Sequence, residues 1–255
     1  MIGVFDSGVG GLSVLTQIRQ LMPHVDLTYA ADRSHAPYGT RPLLDVRDRS
    51  LEVAEMLLRL GATTLVMACN TASAAALEVI RSQNPEIPVV GMEPAVKPAA
   101  SASANGVIGV FATAATFQGE LFETVVSRHA SDVRVVEATC PDWVNMVEKG
   151  QVEGTKVETA VRAVIEPVLE GGADTLVLGC THFSFLAPTI VKVAGPQIRV
   201  IDPAPAVAAQ TSCIAKDVGA GETKFVASGN LVEFEYLLDR LTKLERHGPA
   251  LPFPS

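Results

Sequence analysis

The chain contains an internal repeat, and both copies lead to a cysteine. The stretch GATTLVMACNT begins at Gly61, and GADTLVLGCTH begins at Gly172. Aligning these two glycines also aligns Cys69 with Cys180, and four positions between them are identical. In each copy a short apolar run precedes the cysteine, which is the pattern of a buried strand. The repeat therefore predicts two similar halves that each place one thiol at the end of a strand.

Short apolar runs alternate with longer segments of helical period along almost the whole chain. Amphipathic helices are predicted over 43–60 and 153–170, where apolar residues recur at i, i+3, i+4 and i+7. Near-continuous apolar strands between helices are typical of parallel sheets covered on both faces. We therefore predict an α/β fold of two pseudo-symmetric lobes, each a parallel sheet flanked by helices, with an active site in the cleft between them. The predicted strands are 2–5, 27–31, 64–68, 88–92, 106–111, 133–138, 175–179, 198–201 and 224–227.

The repeat also suggests where the chain passes between the two lobes. The Ala, Pro and Ser-rich stretch 93–106 is the expected first crossing, and DPAPAVAA at 202–209 is the expected return. We therefore predict a first lobe of residues 1–94 plus 205–255 and a second lobe of residues 95–204. The tail HGPALPFPS has a proline spacing that no helix tolerates, so we expect it to be extended or frayed.

Composition excludes several classes of protein. The 255 residues carry a net charge of −8 and no cluster of Lys or Arg, which argues against a nucleic-acid surface. We find no apolar window of the roughly 18–20 residues that a membrane span needs, and no secretory signal pattern follows Met1. The four cysteines form no C-x-x-C motif, so we expect free thiols, a cytoplasmic location and no metal site.

The two repeated cysteines are the strongest candidates for chemistry. Ligands of parallel sheets bind at the carboxyl ends of strands, where helix N-termini point their free N–H groups. A thiol at such a position is expected to have a pKa below its usual value of about 8.5. His182 follows Cys180 by two residues, close enough to tune that thiol or carry its proton. Cys140 and Cys213 lack this context, so we predict that they pack in the core.

Other polar residues are predicted at the same edge. FDSGVGGL follows the first strand and places Asp6 and Ser7 there, and the turn-rich loop 31–40 could supply Tyr38 and Gly39 as pocket walls. Glu148, taken alone, is a solvated carboxylate on a helix. The expected hydrogen-bond donors to an anionic substrate are Ser7, Asn70, Thr71 and Thr181.

Two equivalent thiols suit a reaction in which a proton is removed from one face of a carbon atom and returned to the other face. Inversion at a carbon acid needs a base on one face and an acid on the other, and the reverse reaction exchanges these roles. Donors aimed at the substrate carboxylate would stabilise the charge that develops in the enolate-like transition state. The repeat therefore favours a racemase that uses two cysteines.

The chain resembles the glutamate racemase family, within the aspartate/glutamate racemase superfamily, from residue 2 to about residue 230. The motifs that carry the resemblance occur in the family's order: FDSGVGGL, PYGTR, ACNTA, EPAVKPA, CPDWVNMVEKG and GCTHF. The resemblance implies a cofactor-independent interconversion of L- and D-glutamate that supplies D-glutamate for peptidoglycan. It also implies that Cys69 and Cys180 are the two proton carriers, and that Glu148 lies near the site instead of in solvent.

The resemblance assigns the remaining site residues. Asp6, His182 and Glu148 are expected to assist the thiols. The expected substrate contacts are Asp6, Ser7, Asp32, Pro37, Tyr38, Gly39, Asn70, Thr71, Thr113, Thr116, Thr181 and His182. The chain departs from the family at Ser184 and Phe185, where Pro-Leu is usual, and at IDPAPAVA, where Asp-Ser is usual; packing around the second thiol is therefore expected to differ.

Several alternatives stay open at this point. An aspartate or hydantoin racemase of the same superfamily would share the two thiols. A pyridoxal-phosphate racemase would need a Schiff-base lysine, and only Lys97 lies in a recognisable motif. A non-catalytic amino-acid-binding protein would keep the pocket without turnover. Family members commonly form homodimers, and some bind DNA gyrase; both properties come from the resemblance alone.

Overall fold

The computed structural model describes residues 1–216 and 218–254. Two parallel sheets form its framework, and their strands are numbered in chain order. They are β1 (Ile2–Asp6), β2 (Leu27–Ala31), β3 (Thr64–Met67), β4 (Val89–Val90), β5 (Val107–Ala112), β6 (Arg134–Thr139), β7 (Thr175–Gly179), β8 (Arg199–Ile201), β9 (Thr223–Ala227) and β10 (Leu251–Pro252). The first sheet has the order β10-β9-β2-β1-β3-β4, and the second has the order β6-β5-β7-β8. All pairings between these strands are parallel, which confirms the predicted α/β class.

Helices cover both sheets. They are α1 (Leu12–Leu21), α2 (Leu43–Arg59), α3 (Asn70–Gln83), α4 (Val96–Ala102), α5 (Ala114–Phe117), α6 (Glu120–His129), α7 (Pro141–Val147), α8 (Thr155–Glu170), α9 (Ala187–Ala194), α10 (Ala204–Ile214) and α11 (Leu231–Leu241). Short 3-10 turns occupy Arg33–His35, Tyr38–Thr40 and Thr181–Leu186. No helix within residues 1–216 and 218–254 is long and apolar enough to cross a membrane.

Burial of the strands on both faces explains their uniform apolar sequences. Every residue of β1, β2, β3 and β7 is buried, as expected for parallel sheets with helices on each side. In the second sheet, the ring of Trp143 on α7 lies 5.4 Å from the Phe111 ring and 5.0 Å from the Phe183 ring. This aromatic cluster joins β5, α7 and the turn after Cys180, and so fixes the surroundings of the second thiol.

The structure adds a strand to the extended tail and corrects the prediction for one cysteine. Part of the tail, β10, is an ordered edge strand that pairs in parallel with β9, Leu251 opposite Val226 and Pro252 opposite Ala227. Proline is tolerated there because an edge strand needs hydrogen bonds on one side only. Cys213 is exposed, so the prediction that it packs in the core is wrong, whereas Cys140 is buried as predicted. The lobe boundaries at 94/95 and 204/205 stay predictions.

Candidate active site

The carboxyl ends of strands from both sheets surround one cavity of about 300 Å³. Its wall contains Ser7 after β1, Cys69 after β3, Thr113 after β5, Cys140 after β6 and Cys180 after β7. The two repeated cysteines therefore open into the same space, one from each sheet. The full set of lining residues is Ser7, Pro37, Tyr38, Gly39, Thr40, Cys69, Asn70, Thr71, Thr113, Ala114, Thr139, Cys140, Pro141, Val144, Asn145, Cys180 and His182.

Cys69 is the N-cap residue of α3. Its Sγ accepts a hydrogen bond from the Ala72 N–H at 3.4 Å and lies 3.7 Å from the Ser7 hydroxyl. Burial, with help from the nearby Asp6 carboxylate, raises the pKa of this thiol to about 12, because these two effects outweigh the two hydrogen bonds. The expectation of a lowered pKa is therefore wrong for Cys69 in the ligand-free protein, because desolvation exceeds the effect of the helix N-terminus.

Cys180 has a different set of neighbours. Its Sγ lies 3.7 Å from Nδ1 of His182, whose Nε2 is 2.7 Å from Oε1 of Glu148. Burial lowers the pKa of His182, but the contacts with Cys180 and Glu148 together raise it well above its usual value. The structure therefore favours an imidazolium beside the second thiol.

Glu148 is held by three partners and is not a solvated side chain. Besides His182, its carboxylate accepts a hydrogen bond from the Val9 N–H at 2.8 Å and one from Nε of Arg33 at 3.3 Å. Burial would raise the pKa of Glu148, but the hydrogen bond and charge of His182, with help from Val9 and Arg33, lower it. The carboxylate is thus ionised and orients the imidazole.

Asp6 lies behind the cavity wall, between the turn after β1 and the turn after β7. Its carboxylate accepts hydrogen bonds from the Gly8 N–H at 2.8 Å and from the Thr181 hydroxyl at 2.9 Å. The side chain is fully buried, and desolvation raises its pKa although His182 and the hydrogen bonds oppose the rise. Asp6 therefore joins the turn after β1 to the turn after β7.

Polar groups at the start of α3 face the cavity. Neither amide atom of Asn70, which is 3% exposed, has a hydrogen-bond partner among the described residues. The hydroxyl groups of Thr71, Thr113 and Thr116 contact one another at 2.9–3.2 Å. A buried amide without a hydrogen-bond partner costs free energy of folding. An amide of this kind on a cavity wall is typical of a group to which a ligand binds.

The predicted residues divide into two groups. The cavity is lined by Ser7, Pro37, Tyr38, Gly39, Cys69, Asn70, Thr71, Thr113, Cys180 and His182, whereas Asp6, Asp32, Thr116, Glu148 and Thr181 stand behind that wall. The carboxylate of Asp32 is already occupied by Tyr38, Arg49 and Ser228. Within residues 1–216 and 218–254, no three His, Cys, Asp or Glu side chains are placed to hold a metal ion.

A family model described as Asp/Glu/Hydantoin racemase matches residues 3–211. The chain belongs to this racemase family. It is 47% identical over 209 residues to the glutamate racemase of Ectopseudomonas mendocina, covering 82% of this chain and 80% of that protein.

Solved structures agree with this membership. The Escherichia coli glutamate racemase, solved with L-glutamate and an activator, superimposes with a TM-score of 0.88 at 30% identity, covering 98% of this chain and 96% of that chain. The Francisella tularensis glutamate racemase, solved with D-glutamate, gives a TM-score of 0.84 at 26% identity, covering 100% and 97%.

One departure from the usual racemase pattern, Ser184, contacts Asp202, the residue that precedes the second departure. The Ser184 hydroxyl donates a hydrogen bond to Oδ1 of Asp202 at 2.9 Å, and the Ala204 N–H donates to the same oxygen. The turn that carries His182 is thereby tied to the start of α10.

Sequence reasoning missed one side of the cavity. Thr40, Ala114, Thr139, Cys140, Pro141, Val144 and Asn145 line it but were not predicted to do so. The racemase motif CPDWVNMVEKG contains four of these residues, Cys140, Pro141, Val144 and Asn145, so the motif that supplies Glu148 also carries the signal for this side of the cavity. Cys140 is thus a third thiol in the cavity wall, and burial raises its pKa as well.

Proposed function

We propose that this protein interconverts L- and D-glutamate without a cofactor and supplies D-glutamate for peptidoglycan synthesis. The observation that carries the proposal is that Cys69 and Cys180, the equivalent residues of the repeat, line one cavity sized for a small molecule. Family membership and the L- and D-glutamate complexes of similar racemases support the choice of substrate.

Each thiol serves one face of the substrate's α-carbon. The thiolate of one cysteine removes the α-proton, the electron pair delocalises into the carboxylate, and the thiol of the other cysteine donates a proton to the opposite face. The original base is then a thiol and the original acid a thiolate, ready for the reverse turnover. Asn70, Thr71 and Thr113 are the proposed donors to the substrate carboxylates, where the developing charge needs stabilisation.

The two thiols are activated by different neighbours. We assign Ser7 to Cys69, and His182 with Glu148 to Cys180, on the contacts described above. The Asp6 carboxylate acts on Cys69 by raising its pKa, and so favours the neutral thiol until substrate binds. Cys69 is a neutral thiol in the ligand-free protein, since burial raises its pKa to about 12. An ammonium group in the closed cavity would favour the thiolate, so we expect Cys69 to ionise only when substrate is bound.

Variants of the cysteines test the proposal. Cys69→Ala and Cys180→Ala should each reduce racemisation of glutamate at least about 1,000-fold while leaving the fold intact, because each removes a proton carrier. Cys213→Ala is the matched control, since this thiol is exposed and is not among the residues that line the cavity. Circular dichroism of glutamate would follow turnover. Near-normal rates in either cavity variant would refute the two-base mechanism.

Isotope uptake gives a second test. In deuterium oxide each enantiomer should gain deuterium chiefly in its inverted product, because the two faces use different thiols. Early and equal labelling of unreacted substrate would indicate a single shared base. Parallel assays with L-aspartate and a hydantoin distinguish this proposal from the other activities of the superfamily.

The remaining expectations concern the environment of the protein. We propose a cytoplasmic location, because free catalytic thiols need a reducing compartment. A homodimer and binding to gyrase remain predictions from the family resemblance.

A further inference from the structure

We propose that the C-terminal tail positions the Tyr38 wall of the cavity, acting through Arg49. Arg49 on α2 and Phe253 after β10 would then be positioning residues for glutamate binding, although neither lines the cavity. This inference rests on the proposed function. It deepens that function by adding a part of the chain outside the motifs on which the family resemblance depends.

The link begins at Asp32, whose carboxylate holds the Tyr38 side chain. Oδ2 of Asp32 accepts a hydrogen bond from the Tyr38 hydroxyl at 2.7 Å and one from Nε of Arg49 at 2.6 Å. Oδ1 accepts from Nη2 of Arg49 at 3.0 Å and from the Ser228 hydroxyl at 2.8 Å. A carboxylate offers about four lone-pair sites, and these four bonds, together with Nδ1 of His35 at 3.1 Å from Oδ1, occupy all of them. Asp32 therefore acts on the cavity through Tyr38 and not by direct contact with substrate.

The guanidinium of Arg49 sets the orientation of this carboxylate. The two parallel N–H···O contacts form a bidentate pair, which fixes both distance and direction. Burial would raise the pKa of Asp32, but the hydrogen bonds from Arg49, Tyr38 and Ser228 lower it below its usual value. Tyr38 thus donates to a carboxylate that is both ionised and immobile.

The tail fixes Arg49 from the other side. The Arg49 Cζ atom lies 5.7 Å from the centre of the Phe253 ring, within the range of a cation–π contact. Phe253 reaches this position because β10 pairs with β9, the strand that leads directly to Ser228. The tail and the Ser228 hydroxyl therefore hold opposite ends of the same Arg49–Asp32 pair.

The far end of the link has little freedom to move. Tyr38 and Gly39 line the cavity, and a Cβ atom added to Gly39 would lie 2.5 Å from Cβ of Thr113. Even a small displacement of the 38–39 turn would therefore change its contact with the opposite wall. Weakening the contacts of Arg49 with Asp32 and Phe253 should therefore alter the shape of the cavity without removing a proton carrier.

Conservative variants test this link. Arg49→Lys keeps the charge but loses the fork, and should raise KM for glutamate about tenfold with kcat within about twofold. Phe253→Ala should raise KM about threefold, whereas Phe253→Trp keeps an aromatic face and should retain the wild-type KM. A purely structural role would lower the amount of active enzyme, and therefore kcat, at unchanged KM.

Two matched controls are available in the same region. Arg59→Lys changes an arginine of α2 that lines one surface groove together with Arg49 and Phe253 but pairs with Glu55. Leu251→Ala changes an exposed side chain of β10 and leaves the strand pairing in place. Both controls should keep the wild-type KM and melting temperature.

A double variant tests whether the tail acts through Arg49. In Arg49→Lys with Phe253→Ala, KM should match that of Arg49→Lys alone, because the second change removes a contact whose effect is already lost. If wild-type enzyme racemises glutamate but either single variant keeps its KM, or if the two effects multiply, the positioning role is refuted. If wild-type enzyme does not racemise glutamate, the proposed function itself fails.

Discussion

Replacing Asn70 by alanine should stabilise the ligand-free protein and weaken glutamate binding. Asn70 is the first residue of α3, and both polar atoms of its buried side chain lack a partner among the described residues. Such atoms make no hydrogen bond to the described residues and are shielded from bulk solvent. We expect the substrate to supply that bond, so the side chain costs stability until glutamate is present.

The structure allows the size of both effects to be estimated. An unsatisfied buried polar group costs about 1–3 kcal/mol, and alanine is the better helix former by up to about 0.7 kcal/mol. Lost packing of the amide offsets part of this gain, so the free energy of unfolding should rise by about 1 kcal/mol. For a chain of this size, that corresponds to a melting temperature higher by roughly 2–4 °C. Each hydrogen bond to a charged substrate group contributes about 1.5–3 kcal/mol, so glutamate affinity should fall about 10- to 150-fold.

Thermal unfolding with and without D-glutamate measures both effects in one assay. The matched control is Asn84→Ala. The Asn84 side chain lies at the other end of α3, and its amide does have a partner, since it donates a hydrogen bond to the Ile80 carbonyl at 2.9 Å. That variant should lower the melting temperature by a few degrees and leave the glutamate-induced shift unchanged. If Asn70→Ala is also less stable than wild type, or keeps the full shift with glutamate, the reasoning is wrong.

Two further predictions concern the walls and the supporting layer of the cavity. Gly39→Ala should lower kcat/KM at least about tenfold, because its Cβ would collide with Thr113; a polarimetric assay would check this, and an unchanged rate would mean that the turn can move freely. Glu148→Gln should lower the free energy of unfolding by about 2 kcal/mol at pH 7, because His182 loses its charged partner. The Glu148 pKa is lowered in the folded state, so this difference should be full above its ordinary value of 4.5 and disappear as pH falls through the folded-state pKa. Urea unfolding between pH 3 and 7 would measure it, and a difference that stays constant over this range would contradict the ionised pair.

The strands were predictable because their signal is local. A strand buried on both faces must be apolar at every position, so β2 and β7 match the predicted ranges residue for residue. The position of both cysteines at strand ends follows from the same pattern and from the repeat. Helix α10 gives no such guidance, since its apolar residues lie on every side, and nothing local in the sequence shows that Cys213 is exposed.

The features that sequence reasoning missed depend on contacts between distant segments. The pKa of Cys69 is set by burial, and a strand–helix junction in the sequence does not reveal how much water reaches it. The role of Asp32 depends on Arg49, seventeen positions later, and on Ser228, near the other end of the chain. The pairing of β10 uses main-chain groups alone, so its proline-rich sequence carries no strand signal.

The unlike surroundings of the two thiols have a thermodynamic consequence. Mirror-image amino acids have identical free energies in solution, so their equilibrium ratio is one whatever the catalyst. The ratio kcat/KM must therefore be the same for both enantiomers in this protein and in every variant of it. The Asp6 side and the His182 side can differ only in how tightly each hand is held and how fast the bound form turns over. Substitutions near either thiol can thus change KM and kcat together for one enantiomer, but they can never make the reaction run in one direction.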